Sequence, residues 1–178
     1  MNSTPQDTTL YRGKVIEVRR ETVRFPDGRC FPLEVVRHPG GAAVVALDDE
    51  DRVCLVHQYR HVTGGFLWEL PAGRRAPGED PELTVRRELR EEGGAEASHW
   101  RSLGPLASSP GVFSEIIHLF LARDLRPVDR ALEDEEFLET HWVPFEEALD
   151  WAANGRISDA KTLAGLFRAR EALRASSG

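Results

Sequence analysis

Glu88, Glu91 and Glu92 put three carboxylates within one helical turn, beside an apolar stripe carried by Val85 and Leu89. Carboxylates four apart repel and weaken a helix slightly, so stability alone does not explain the cluster at the rim of a core. A hard divalent cation turns the repulsion into coordination, and oxygen-only donors suit magnesium, manganese or calcium rather than zinc. The plainer reading of an Arg/Glu-rich helix is a solvated, salt-bridged face. What favours the metal is the spacing of the residues around the cluster.

The elements that must hold these carboxylates are legible locally. Asp80 is placed to cap the helix, Pro81 suits its first position, and Gly93-Gly94 ends it. Upstream, Gly73-Arg74-Arg75-Ala76-Pro77-Gly78-Glu79 is a loop punctuated by Pro77-Gly78. Read as spacing, the stretch is Gly73, Glu79, then Arg87-Glu88-Leu89-x-Glu91-Glu92-x-Gly94 and the small apolar Ala95. This pattern resembles the Nudix box at every fixed position. The resemblance implies an α/β/α sandwich with a mixed sheet that hydrolyses a nucleoside diphosphate linked to another group.

The flanks resemble the ADP-ribose pyrophosphatase branch of that family. Gln58-Tyr59-Arg60 followed by Trp68-Glu69-Leu70-Pro71-Ala72-Gly73 is similar to that branch's approach to the box. Pro110, fifteen positions after Ala95, matches its proline mark, and Asn154 to Thr162 is similar to the start of its final helix. Carried over, Glu88 and Glu92 are the principal metal ligands, with Glu91 and the Ala72 carbonyl completing a magnesium site (manganese as the substitute). Arg60 contacts phosphate, where a planar fork has the advantage over lysine. Trp68, Glu69 and Pro110 are the other substrate-binding candidates, although a tryptophan beside a buried strand is more often core. Arg87 and Glu79 are expected to pair and brace the loop. The general base is sought in the acidic run before Thr140, with Glu136 first and Glu135 second; the competing reading of that run is a solvated loop.

Composition sets the wider bounds. A chain of 178 residues with 40% hydrophobic content suffices for one globular domain. The net charge of −7, without a basic tract, disfavours nucleic-acid binding; an anionic substrate then needs cations and placed arginines. No apolar run is long enough to span a membrane, and residues 1–9 lack the regions of a signal peptide. A cytoplasmic protein is expected, with Cys30 and Cys54 as reduced core thiols.

Along the chain, residues 1–9 are expected to be frayed and residues 10–39 to form an antiparallel β-ribbon. The ribbon has strands over 10–25 and 30–38 around a Pro26-Asp27-Gly28 turn, with Pro32 on an edge or bulge. By resemblance the ribbon dimerises the protein. Residues 40–174 form the hydrolase domain. Its strands are expected over 42–47, 53–59, 66–73, 99–107, 116–122 and 139–143. Besides the box helix, one helix opens at Pro144 and another at Ser158 or Asp159, with Leu163, Leu166, Phe167 and Leu173 facing the core. The expected reaction is cleavage of ADP-ribose, or a related nucleoside-diphosphate sugar, to AMP and ribose 5-phosphate. GDP-mannose is the rival substrate. A non-hydrolytic ADP-ribose sensor and an 8-oxo nucleotide sanitising enzyme fit the intact box and the flanks less well.

Overall fold

The computed structural model describes residues 7–130 and 137–175. The chain begins with strands β1 (Thr8–Arg12), β2 (Glu17–Arg24) and β3 (Cys30–Arg37). Next come β4 (Gly41–Ala46), β5 (Arg52–Arg60), β6 (Gly65–Glu69), β7 (Ala72–Arg74) and helix α1 (Pro81–Glu91). The rest is β8 (Ala95–Ala107), β9 (Ile116–Pro127), β10 (Leu138–Pro144), α2 (Phe145–Asn154) and α3 (Ala160–Arg174). Among the described residues, no helix is long and apolar enough to cross a membrane.

The body is an α/β/α sandwich. One mixed sheet has the order β7-β4-β9-β8, with β4 and β9 parallel; a second, antiparallel sheet has the order β10-β5-β6. All six residues of β4 are buried, because helices cover both faces and the usual polar alternation is lost. Ala42, Val44 and Ala46 pack with Val85 and Leu89 of α1, whereas Ala43 and Val45 share a core with Leu166 and Ala169 of α3. At Gly165 a β-carbon would lie 2.5 Å from Leu70 Cδ1, so only glycine lets α3 approach this closely.

Three boundaries depart from the sequence expectation. The first strand divides at 13–16, where the Gly13 amide donates to the Ile16 carbonyl (2.9 Å), so the ribbon has three strands and begins at Thr8. The strand expected over 66–73 is two strands in different sheets. Pro71 has no N–H to continue a ladder; β6 pairs with β5, and β7 crosses to β4. Finally, β8 and β9 are longer than their apolar cores. Glu96 pairs with Arg126 and His99 with Arg123 in a solvated extension held by backbone pairing, which needs no apolar pattern.

In the ribbon, Pro32 lies on edge strand β3, where its missing donor costs no ladder bond to a further strand. The ribbon docks on the β8–β9 loop: the Val36 amide donates to Val112 O (2.8 Å) and the Ser114 amide to Val36 O (2.9 Å). Cys30 is exposed rather than core, because no layer covers this part of the ribbon. Cys54 is buried, and that burial, with Glu92 nearby, raises its thiol pKa far above the ordinary value. Phe167 also turns outward at 55% exposed, and Gly165 and Ala169 take the core-facing positions of α3 instead.

Candidate active site

The acidic helix starts as its sequence dictates. The Asp80 carboxylate accepts the Glu82 amide (2.9 Å) and Pro81 occupies the first turn. Its apolar stripe docks on β4 and β9, which carries Glu88 and Glu92 into the interior at 5% and 2% exposure. Two contacts fix them. Glu92 Oε2 accepts the Ala72 amide (2.8 Å), tying the end of α1 to β7, and the Thr140 hydroxyl donates to the Glu92 carbonyl (2.5 Å). The Glu88 carboxylate lies against Gly73, where a β-carbon would sit 1.8 Å from Oε1.

Arg87 lies closest to the box carboxylates, with Nη1 2.7 Å from Glu88 Oε1 and 3.1 Å from Glu91 Oε2. The expected Arg87–Glu79 brace is thus replaced. Glu79 instead accepts the Ala76 amide through Oε2 (2.8 Å), while Arg75 Nε donates to the Glu79 carbonyl (3.0 Å), which closes the loop on itself. A turn so short lets the backbone satisfy the carboxylate before a side chain from the helix can reach it.

Two connected chambers open over β7. The larger, about 1000 Å³, is lined by Glu88, Glu91 and Glu92 together with Gln58, Arg60 and Arg74. Lys14 of the ribbon also reaches it. The smaller, about 330 Å³, shares Arg60, Ala72, Gly73 and Arg74 with it and adds Ser108, Glu115 and Lys161. The Ser108 hydroxyl is buried there with no hydrogen-bond partner among the described residues.

Arg60 is aimed by a buried carboxylate. Its Nε and Nη2 meet Glu69 Oε1 and Oε2 at 2.6 and 2.8 Å, a bidentate pair, and Lys161 Nζ also contacts Glu69. Burial alone would raise the Glu69 pKa, but the Arg60 hydrogen bonds and the Lys161 charge outweigh it and hold the carboxyl below the ordinary glutamate range. Glu69, expected to bind substrate, therefore sits behind Arg60 as its support.

Stability and pH follow from this arrangement. Glu69→Gln should lose about 1.5–3 kcal/mol of stability at neutral pH from weakened charge-assisted hydrogen bonds. Because the folded pKa is depressed, this stabilisation is complete above the unfolded value of about 4.3 and fades as pH falls through the lower folded value. The gap between wild-type and variant urea midpoints should therefore narrow between about pH 5 and 3; a gap that is constant with pH would remove the ionised Glu69 from the account.

The other expected substrate contacts are placed differently. Trp68 alternates with Glu69 along β6 and points to the opposite face. There it stacks on His57 (4.5 Å, 23°) and meets Trp151 at 5.0 Å, as a core aromatic. Pro110 is exposed at the tip of the β8–β9 loop, and its neighbours Ser108 and Glu115 line the smaller chamber. Glu135 and Glu136 lie outside the described residues. Gln58, Arg74, Lys14, Ser108, Glu115 and Lys161 were not singled out as site residues from the sequence. Only strand alternation, which puts Gln58 on the same face as Arg60, hinted at one of them.

Among the described residues, no three His, Cys, Asp or Glu side chains already converge around an ion-sized point. The donor set nonetheless fits a hard cation. Two carboxylates are almost wholly buried and a third lines the same chamber, all the donors are oxygen, and the missing β-carbon at Gly73 leaves Glu88 its space.

The NUDIX domain model matches residues 37–166, and the chain belongs to the Nudix family, as a Nudix hydrolase. Within it the resemblance is to the ADP-ribose pyrophosphatase branch. The chain is 42% identical to an ADP-ribose pyrophosphatase of Mycobacterium tuberculosis, over 89% of its own length and 78% of the relative's. It is 38% identical to an ADP-ribose pyrophosphatase of Bacillus subtilis, over 93% and 92% of the two chains. A crystal structure of an ADP compounds hydrolase superposes with a TM-score of 0.81 at 25% identity, covering 96% of this chain and 93% of that one.

Proposed function

We propose that this protein hydrolyses the pyrophosphate bond of ADP-ribose, or of a closely related nucleoside-diphosphate sugar, giving AMP and ribose 5-phosphate from ADP-ribose. The observation that carries the reading is the opening of buried Glu88 and Glu92 onto the same chamber as Arg60 and Arg74. Magnesium (or manganese) held by Glu88, Glu91, Glu92 and the Ala72 carbonyl would neutralise the pyrophosphate and the charge developing on the leaving phosphate. Arg60, oriented by Glu69, and Arg74 bind the non-bridging phosphate oxygens. The smaller chamber, with Ser108 and Glu115, takes the hydroxyl-rich sugar. Glu136, or Glu135 one residue before it, is the candidate general base, named from the sequence alone.

The ribbon exposes Leu10, Tyr11, Phe31 and Leu33 at 41–58%, an apolar set that a second copy would cover. We assign the protein as a homodimer on that basis. A sedimentation mass equal to the single 20.0 kDa chain would end that assignment.

The test of function is product analysis with ADP-ribose and with GDP-mannose, each with magnesium and with chelator. Magnesium-dependent AMP from ADP-ribose is the expected result. GMP from GDP-mannose without AMP from ADP-ribose would keep the chemistry and move the substrate; no product from either would overturn the reading.

A further inference from the structure

Glu92 caps the C-terminal end of α1, still in helical conformation (φ −87°, ψ −42°), and Gly93-Gly94 follows it, with Gly94 at φ +63°. The carbonyls of a helix's final turn find no partner inside the helix, and that turn is the part that frays. Two glycines next in the chain add no stiffness of their own. A carboxylate that must hold a fixed position is thus carried on the least constrained turn of α1.

The constraint comes from elsewhere in the chain. The Thr140 hydroxyl donates to the Glu92 carbonyl (2.5 Å) and accepts from Arg130 Nη1 (2.6 Å). One hydroxyl serves as both donor and acceptor, so the guanidinium polarises and strengthens the bond that Thr140 makes to the helix. Arg130 also brings a positive charge to the end of α1, where the macrodipole favours one. Thr140 is itself held, because β10 pairs with β5 from Leu138 to Pro144 and Thr140 lies opposite Val56. Trp142, two residues on and so on the same face of β10, packs against the core that holds Val85 and Leu89 of α1. Glu92 is therefore gripped at three points. Its amide donates to the Glu88 carbonyl (2.9 Å), its carbonyl accepts from Thr140, and its carboxylate accepts the Ala72 amide (2.8 Å). Only the first of these is internal to the helix.

We propose that Thr140 is a positioning residue for the metal site: its hydroxyl, braced by Arg130, clamps the last turn of α1 and keeps the Glu92 carboxylate where a cation can use it. Thr140 touches neither substrate nor cation. It acts through the backbone of Glu92, as an outer partner that fixes the orientation of a ligand. This inference rests on the reading of Glu92 as a metal ligand.

Its test compares wild type, Thr140→Val and Thr140→Ser in the full chain. Each is titrated with manganese(II) without substrate, with free ion read by electron paramagnetic resonance, and amide exchange is followed at Glu92. Valine keeps the β-branching of threonine and removes the hydroxyl. Manganese affinity should weaken about 10- to 100-fold in Thr140→Val and stay within about threefold of wild type in Thr140→Ser. The Glu92 amide should exchange about 3- to 10-fold faster in the valine variant, as one lost hydrogen bond allows. If the valine variant fails to fold, Thr140→Ala is compared with Thr140→Ser, from which it differs by one oxygen. Wild-type affinity in Thr140→Val would overturn the proposal. So would an equal loss in Thr140→Ser, which would lay the effect on packing of the methyl group. Unchanged exchange at Glu92 would sink the clamp whatever the affinity. If wild type itself takes up no manganese, the metal reading falls and the proposal with it; binding in wild type that Thr140→Val leaves untouched removes the proposal alone.

Discussion

Glu92→Gln should lower turnover on the order of 10³-fold or more while the protein folds as before. The variant isolates charge from geometry. Glu92 Oε2 accepts the Ala72 amide at 2.8 Å, and a glutamine can present its own oxygen to the same donor, so the tie between α1 and β7 is kept. The negative charge is lost, at a position 2% exposed and within a turn of Glu88. Neutralising one of two buried carboxylates on a shared helix face relieves repulsion, so the unfolding midpoint should hold or rise. A stable variant with almost no turnover separates this residue from those that merely support the fold. Activity within a few fold of wild type, measured with saturating magnesium, would sink the assignment of Glu92 as a ligand.

Gly73→Ala should cost about 100-fold in kcat/KM with little change in stability. A β-carbon built at Gly73 lies 1.8 Å from Glu88 Oε1 and 2.1 Å from its Cδ, distances at which two atoms cannot coexist. The obstructing group is the far end of a flexible side chain, so the backbone need not move. The Glu88 carboxylate must swing away, and a reacting group displaced by about 1 Å loses rate on this scale. Against that, alanine reduces the conformational freedom of the unfolded chain, worth about 0.4–1 kcal/mol where the backbone permits it. The control is Gly65→Ala, where nothing lies within 4 Å of the added carbon; it should leave activity intact. If Gly73→Ala retains full activity, the Glu88 carboxylate is not used in the position it occupies here.

The two variants probe one site from opposite sides, and both positions belong to the box pattern, but the physical reason for only one of them is visible in the sequence. That Glu92 belongs to a metal-binding pattern is visible in the spacing of the box. That Gly73 must be glycine because Glu88 lies against it is a contact between β7 and α1, across a loop whose length says nothing about its closure. The same holds for Arg60. Its proposed role as a phosphate cation came from the resemblance of its neighbours, but its support was not readable there, since Lys161 reaches Glu69 across 92 residues of chain.

By itself, the sequence determined what depends on neighbours in the chain. The Asp80 cap, Pro81, the Val85–Leu89 stripe and the glycine stop define α1 because helix capping and the 3.6-residue period act within a few residues. The same stretch named Glu88, Glu91 and Glu92, and with its flanks the family. Only the tertiary structure decided which groups meet. Pro71 moves the chain from one sheet to the other, strand alternation sends Trp68 to the core and Glu69 behind Arg60, and β5 turns Gln58 into the chamber beside Arg60. Those outcomes depend on the packing of residues far apart in the chain, and the period-two pattern of a strand says which residues share a face but not what that face will meet.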